Sequence, residues 1–310
     1  MTEKKEKPIV IGLGEVLWDC FEEGRKPGGA PANVAFQANQ LGLDGRIVSR
    51  IGDDALGEEL LAFLQSQGLS TDLIQHDSSH PTGTVTVDKS ISTAPVYTIH
   101  RNVAWEFLEF TDSLQAMTEK IAAVCFGTLA QRSPTTRQTI HRFLDALPPS
   151  CLRVYDVNLR QNDYSREILK TSFQKADVVK MNDEEWLVVA ELFEQKRDSM
   201  VPFCQWLSET FRIPRICITR GGDGCLMVES NPEEGAFHVI EVPGEKVEVA
   251  DTIGSGDAFT AAWIDALLHQ APLKLQAMFA NAVGTLVATR AGGMPILREE
   301  LEILRKEMGV

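Results

Sequence analysis

The chain predicts an α/β fold, and two observations carry that prediction. Short apolar runs such as Ile9-Val10-Ile11 and Ile216-Cys217-Ile218 alternate along the whole length with amphipathic stretches of helical length, and glycine or proline punctuates the junctions. Pro8 to Gly14 reads as a buried strand. Pro31 to Leu41 reads as a helix, with Pro31 suited to its first turn and Gly42 to its C-terminal cap. Arg46 to Ile51 is a strand, and Ala55 to Gln67 a helix opened by Asp53-Asp54 and closed by Gly68. Two runs without helical period follow, Thr84 to Val87 and Val96 to Ile99, so residues 82–101 read as a β-rich insertion, with 17–27 as a second candidate segment of the same kind. Alternation then resumes: strand Val124 to Leu129, helix Pro134 to Leu147, strand Leu152 to Val157, strand Val178 to Met181, helix Asp183 to Phe193, strand Arg215 to Thr219. Cys225 to Glu229 and Phe237 to Val242 read as an antiparallel pair. Gly256 to His269, Leu273 to Arg290 and Leu297 to Met308 are helical. The expectation is one domain over 1–310 carrying a β-rich lid.

Composition excludes several classes. Of 310 residues, 44% are hydrophobic and 24% charged, enough apolar material for a large core, which argues against a disordered chain or a disulfide-stapled mini-fold. Thirty Lys and Arg against 44 Asp and Glu give a net charge of −14, a field that repels phosphate backbones, so nucleic acid is not an expected partner. No run approaches the roughly 18 apolar residues that span a bilayer, and no apolar leader with a small-residue cleavage site opens the chain, so no membrane partner and a cytoplasmic location are expected. Six cysteines at 20, 125, 151, 204, 217 and 225 form no Cys-x-x-Cys and mostly sit in apolar runs, where a reduced thiol serves as a small hydrophobe. The six histidines form no metal-ligand spacing.

The sharpest chemical feature is Asp251-Thr252-Ile253-Gly254-Ser255-Gly256-Asp257-Ala258-Phe259. Two glycines around a small residue, immediately before a strong helix, form a turn whose backbone N–H groups can face an anion. A carboxylate in the helix's first turn then lies within reach of that anion. This fits phosphoryl transfer, in which the turn holds developing charge and the carboxylate takes a proton from an attacking hydroxyl; a plain glycine turn with a capping Asp fits as well. Pro27-Gly28-Gly29-Ala30-Pro31-Ala32-Asn33 permits close backbone approach before a helix, and Asn33 offers the donor and acceptor a sugar hydroxyl needs.

In this order, at opposite ends of the chain, these two motifs resemble the signatures of the ribokinase-like (PfkB) carbohydrate kinases, and the fructokinase-like branch in particular. Gly12-Leu13-Gly14-Glu15 at the first strand end and the β-insertion extend the resemblance over essentially the whole chain. It implies a central, mostly parallel sheet flanked by helices with a small β-lid. By the same resemblance, Asp257 matches the catalytic base, Gly254, Ser255 and Gly256 the anion hole, and Asp19, Gly28, Gly29 and Asn33 sugar-binding positions. Asn182 and Glu185 match an Asn-x-x-Glu motif that organises magnesium and phosphate, Glu185 indirectly. Thr219, Gly221, Gly222 and Gly224 resemble the nucleotide loop, and a glycine-rich turn at a strand's carboxyl end is where α/β folds bind ligands. Asn281 resembles part of the adenine wall. Asp251, the Ile253 carbonyl and Ala291-Gly292-Gly293 match a monovalent-cation site, so ATP, Mg2+ and K+ are the implied cofactors.

The sugar is less constrained. Ala30 stands where ribokinase-type members carry Lys, and both Gly14-Glu15-Val16-Leu17-Trp18-Asp19 and Asp156-Val157-Asn158-Leu159-Arg160 resemble the fructokinase branch. The resemblance therefore implies an ATP-dependent kinase acting on a primary hydroxyl, with fructose first. Asn158 falls among the expected substrate contacts. Arg160 and the lid's Arg101 can hold hydroxyls or the carboxylate of a sugar acid such as 2-keto-3-deoxygluconate; Asp156 and Arg160 equally fit a salt-bridged strand end. A phosphosugar is disfavoured by the few basic residues near the Gly-Gly motif. Two readings from other classes were weighed. A dinucleotide-binding unit fails because the third glycine position is Leu17. A non-catalytic sugar sensor on the same fold conflicts with Asp257 and its turn. A homodimer through the β-lid is the expected assembly.

Overall fold

The computed structural model describes residues 6–88, 96–195, 198–231 and 235–310. In chain order the elements are β1 (Ile9–Leu13), β2 (Leu17–Phe21), β3 (Gly24–Gly28), α1 (Ala30–Gln40), β4 (Asp44–Gly52), α2 (Ala55–Ser66), β5 (Ile74–Asp77), β6 (Gly83–Asp88), β7 (Val96–Ile99), α3 (Asp112–Met117), β8 (Ile121–Gly127), α4 (Pro134–Ala146), β9 (Leu152–Asp156), α5 (Arg166–Phe173), β10 (Val178–Asn182), α6 (Glu185–Leu192), α7 (Met200–Phe211), β11 (Arg215–Thr219), β12 (Cys225–Asn231), β13 (Ala236–Val242), α8 (Ser255–Leu268), α9 (Leu273–Ala288) and α10 (Arg298–Met308).

The apolar runs pair into a nine-stranded sheet of order β13-β12-β11-β10-β9-β8-β1-β4-β5. All neighbours from β11 to β5 run parallel, and β12 and β13 add an antiparallel edge. Side chains alternate between faces along each strand. Val179 and Met181 enter one core with Phe126, Tyr155 and Phe173. Val178 and Val154 enter the other, against α8 and α9 through Trp263, Phe279 and Val283. The same alternation carries Asp156 and Lys180, two residues further along β9 and β10, to the α8 side of the sheet.

A second sheet of order β3-β2-β6-β7 gathers segments from 17–28 and 83–99. Asp19 pairs with Lys26 across the antiparallel β2–β3 ladder and with Val85 across the parallel β2–β6 ladder. Pro27 sits in β3 without harm because β3 is an edge strand, where no ladder hydrogen bond is forfeited on its outer side. Part of the 82–101 insertion, residues 89–95, lies outside the described residues.

Local chemistry sets the helix ends. Asp54 caps α2 by accepting from Gly57 N at 2.8 Å, and Ser133 caps α4, which opens on Pro134. The strand expected to reach Leu129 stops at Gly127, and Leu129–Arg132 form a short 3-10 turn. Helices α5 and α7 were not foreseen. Pro202 falls in the first turn of α7, where a missing N–H costs nothing. All six cysteines are free thiols, five of them buried. No helix among the described residues is long and apolar enough to cross a membrane.

Trp263, fully buried on α8 with its Nε1 donating to Gln276 Oε1 at 3.0 Å, is the largest side chain between α8 and α9. Trp263→Ala is expected to cost about 3–5 kcal/mol through cavity formation and the stranded Gln276 acceptor, measured as a lowered urea midpoint at unchanged slope.

Candidate active site

The carboxyl ends of the parallel strands open into a cavity of about 1220 Å³. One half is walled by Glu15, Asp19 and Asn33 below and by Val85, Tyr97 and Ile99 of the small sheet above. The other is walled by Thr219, Gly221, Gly222, Gly224 and Asn281, and the turn 252–257 lies between them.

That turn is built by two close approaches. Gly254 caps α8 in the left-handed region (φ 76°), and a side chain there would meet the Gly293 backbone at 2.5 Å. Gly256 is tight as well, since a Cβ would stand 3.0 Å from Lys180 Nζ. The turn thus stays bare and lines the cavity; Ser255 N donates to Thr252 O at 3.3 Å, and the Gly256 and Asp257 N–H groups of the first turn have no acceptor within the helix. Ser255 donates its hydroxyl to Gly284 O at 2.9 Å and ties the turn to α9. Asp251 stands outside the cavity lining; its carboxylate accepts from Ile253 N at 3.0 Å and Gly292 N at 3.1 Å, joining the turn to the 291–293 loop.

Asp257 projects from the first turn of α8 and accepts a hydrogen bond from Asn33 Nδ2 at 2.7 Å. Burial, and then the charge of Asp156, push its pKa up to about 6, against the opposing pull of Lys180, the Asn33 hydrogen bond and Arg160. Lys180 lies beneath, buried, with its Nζ 3.1 and 3.2 Å from the two Asp156 oxygens. Burial opposes its charge, but Asp156, then Glu185 and Asp257, outweigh that and hold it above the ordinary lysine range. Thr260 of α8 donates to Asp156 Oδ2 at 3.1 Å and completes the support.

In the first half of the cavity, Asp19 is pushed up to about 6, mainly by burial. Gly28 faces Asp19 rather than the cavity, and a Cβ there would stand 2.4 Å from Asp19 Oδ2. Gly29 and Ala30 reach the wall directly, as do Asn158 and Arg160 from the loop after β9. Arg101 does not. It forms an ion pair with Asp163, which also receives Arg132 Nη1 at 3.0 Å; Arg132 is held in place by Glu106 and by the Trp105 ring, 4.5 Å away. Asp156 is a salt-bridged strand end, but its partner is Lys180, while Arg160 donates, among the described residues, to the neighbouring Leu159 carbonyl.

In the other half, Asn182 Oδ1 caps α6 by accepting from Glu184 N and Glu185 N. Glu185 is buried, and its two oxygens accept from Leu159 N and Asn182 N, both at 2.8 Å, locking the ends of β9 and β10 together. Burial first, against the pull of Lys180, raises its pKa. Thr219 ends β11, and residues 221–223 form a 3-10 turn closed by Gly224 N donating to Gly221 O. Asn281 reaches toward the Val242 carbonyl at 3.5 Å.

Sequence reading missed Glu15 and Lys180 as members of the cavity wall. For Lys180 the available signal was a lone charge inside the apolar run Val178-Val179-Lys180-Met181. Lys180→Met would leave Asp156 buried and unpaired, and a loss of about 3–5 kcal/mol is expected by chemical denaturation; adding Asp156→Asn is expected to recover most of it.

Comparison with known proteins places these features. Residues 5–299 match the model of the pfkB family carbohydrate kinases. A sugar kinase of Pyrococcus horikoshii is 29% identical over 96% of both chains, and its crystal structure superposes with a TM-score of 0.82 over 97% of this chain and 99% of that one, at 28% identity. The same kinase has been solved in complex with ATP, with a TM-score of 0.80 at 27% identity over 96% of this chain and 99% of that one. Fructokinase-1 of Zea mays is 29% identical, with 96% of this chain and 97% of that one covered, and the fructokinase of Escherichia coli is 29% identical over 94% and 97%. With its large, mostly parallel sheet, its flanking helices and a family match spanning nearly its whole length, this chain has the ribokinase-like fold and belongs to the pfkB family of carbohydrate kinases.

Proposed function

We propose that this kinase transfers the γ-phosphoryl group of ATP to a primary hydroxyl of a small neutral sugar, fructose first. The observation that carries the proposal is the placement of Asp257: buried, hydrogen-bonded to Asn33, and set in the bare turn that separates the two halves of the cavity. Relatives named fructokinase and an ATP complex of a relative support the choice of substrates.

In this reading the sugar rests on Asp19, Gly29 and Asn33, while Thr219, Gly221, Gly222, Gly224 and Asn281 receive the nucleotide. Asn33 orients Asp257, whose carboxylate takes the proton as the hydroxyl oxygen attacks phosphorus and the bond to the leaving ADP oxygen breaks. The N–H groups of Gly254–Asp257 receive the charge spread over the transferring group, and the Lys180 ammonium adds positive potential from below. The small sheet excludes water from the sugar half, which suppresses hydrolysis of ATP.

Magnesium brought in with the nucleotide would neutralise phosphate charge. The described residues gather no set of three or more His, Cys, Asp or Glu to cage it, and Glu185 spends both oxygens on backbone N–H groups. The phosphates are its main ligands in this proposal, with Asn182 and Glu185 shaping the pocket around it. Asp251 and the Ile253 carbonyl are the proposed place of a potassium ion that would stiffen the turn. Pairing of a second copy along β3 or β7, the edge strands of the small sheet, belongs to the same proposal. A sugar acid is the second reading, favoured only by Arg160 at the cavity wall, and a non-catalytic sensor is the third.

ADP release measured over a panel containing fructose, other neutral sugars and 2-keto-3-deoxygluconate tests the substrate; no ADP release with any sugar sinks the enzymatic reading. Asp257→Asn is expected to keep the fold and lower kcat by roughly 10³-fold or more, and near-normal turnover would remove Asp257 from the role of base. Because its pKa is raised, Asp257 is ionised above about 6. The rate kcat/KM is therefore expected to be full above that pH and to fall as pH drops through it, a limb that a pH–rate profile reads directly.

A further inference from the structure

One buried acceptor in the sugar half has no use in the reading above. Glu15 stands in the turn between β1 and β2, is 3% exposed, and lines the cavity with Asp19, Asn33 and Asp257. Its carboxylate lies against the backbone N–H groups of Glu15 and Ala30, which fix the side chain at the start of α1. Its Oε2 is buried and meets no donor among the described residues. Asn33 shows the same asymmetry: Nδ2 is committed to Asp257, while Oδ1 is buried and unpartnered. Leaving a buried acceptor unpaired is costly. Two such acceptors on the wall of one cavity suit a ligand that brings donors in.

The surrounding charges narrow that ligand. The charges that act on Glu15 are the Asp257 carboxylate on α8 and the Arg160 guanidinium from the loop after β9, and the Asp19 carboxylate on β2 lines the same cavity. Lys180 on β10 is committed to Asp156. Burial, and then the charge of Asp257, push Glu15 up to about 7, against the opposing pull of the Glu15 and Ala30 backbone N–H groups and of Arg160. An anionic group entering here would meet an excess of negative charge. A hydroxyl would donate to an acceptor that lacks a donor.

We propose that Glu15 is a specificity-determining residue whose free oxygen accepts a hydrogen bond from a non-reacting hydroxyl of a neutral sugar, with Asn33 Oδ1 accepting from the same ligand. This rests on the sugar-binding reading of that half of the cavity, and not on the sugar being fructose.

The test uses Glu15→Gln, which keeps the shape and an oxygen for the backbone N–H groups. Steady-state constants are measured for wild type and variant with the neutral sugar that wild type phosphorylates best and with each of its monodeoxy analogues; the KM for ATP and the melting temperature serve as controls. The expected result is a rise in sugar KM of roughly tenfold that shrinks below about twofold for one deoxy analogue, with the KM for ATP unchanged. A sugar KM within about twofold of wild type overturns the inference alone. So does an equal loss with the parent sugar and every analogue, which would mark Glu15 as a support for α1 only. A wild-type enzyme active solely on acidic sugars overturns the inference together with the reading beneath it.

Discussion

The hydrogen bond from Asn33 Nδ2 to Asp257 Oδ2 joins positions 224 residues apart in sequence and links α1 to α8 at the cavity wall. Asn33 is fixed by α1, which follows directly from the small sheet through Gly28 and Gly29. Asp257 is fixed by α8, which packs under the large sheet. The contact is therefore where the sugar wall and the transfer turn meet. It also orients a carboxylate that burial would otherwise leave weakly defined, since a neutral amide can hold an anion in place without discharging it.

A second constraint is electrostatic. Glu15, Asp19, Asp156, Glu185 and Asp257 all crowd the strand ends of a chain whose net charge is −14. Such crowding is tolerable because each carboxylate is handled differently. Asp156 is paired with Lys180 and Thr260; Glu185 is bound to two backbone N–H groups. Asp257 has one amide donor, and Glu15 and Asp19 face the cavity. The groups spent on structure and the groups left for chemistry are separated by how many of their lone pairs the protein itself satisfies.

Much of the frame was legible in the letters, and the reasons are local. A strand declares itself by an apolar run and a glycine turn by its dipeptides, so the 251–257 turn, the helix after Gly28-Gly29 and most sheet strands could be placed from sequence. What escaped depends on tertiary neighbours. Lys180 looks like an interruption of a strand until β9 brings Asp156 beside it. Glu15 is one carboxylate among many until the fold buries its Oε2 without a donor among the described residues. Arg101 was assigned to the cavity from its place near the β-insertion, yet Asp163, remote in sequence, draws it away.

The Arg132–Asp163–Arg101 chain joins a fixed element to a partly wet one. Arg132 is 3% exposed and held by Glu106 and the Trp105 ring, whereas the Arg101 side chain is 65% exposed just beyond β7. Counterions can therefore weaken the outer link while leaving the inner one intact. The seam between the two sheets thus carries one link open to ionic strength and one shielded from it.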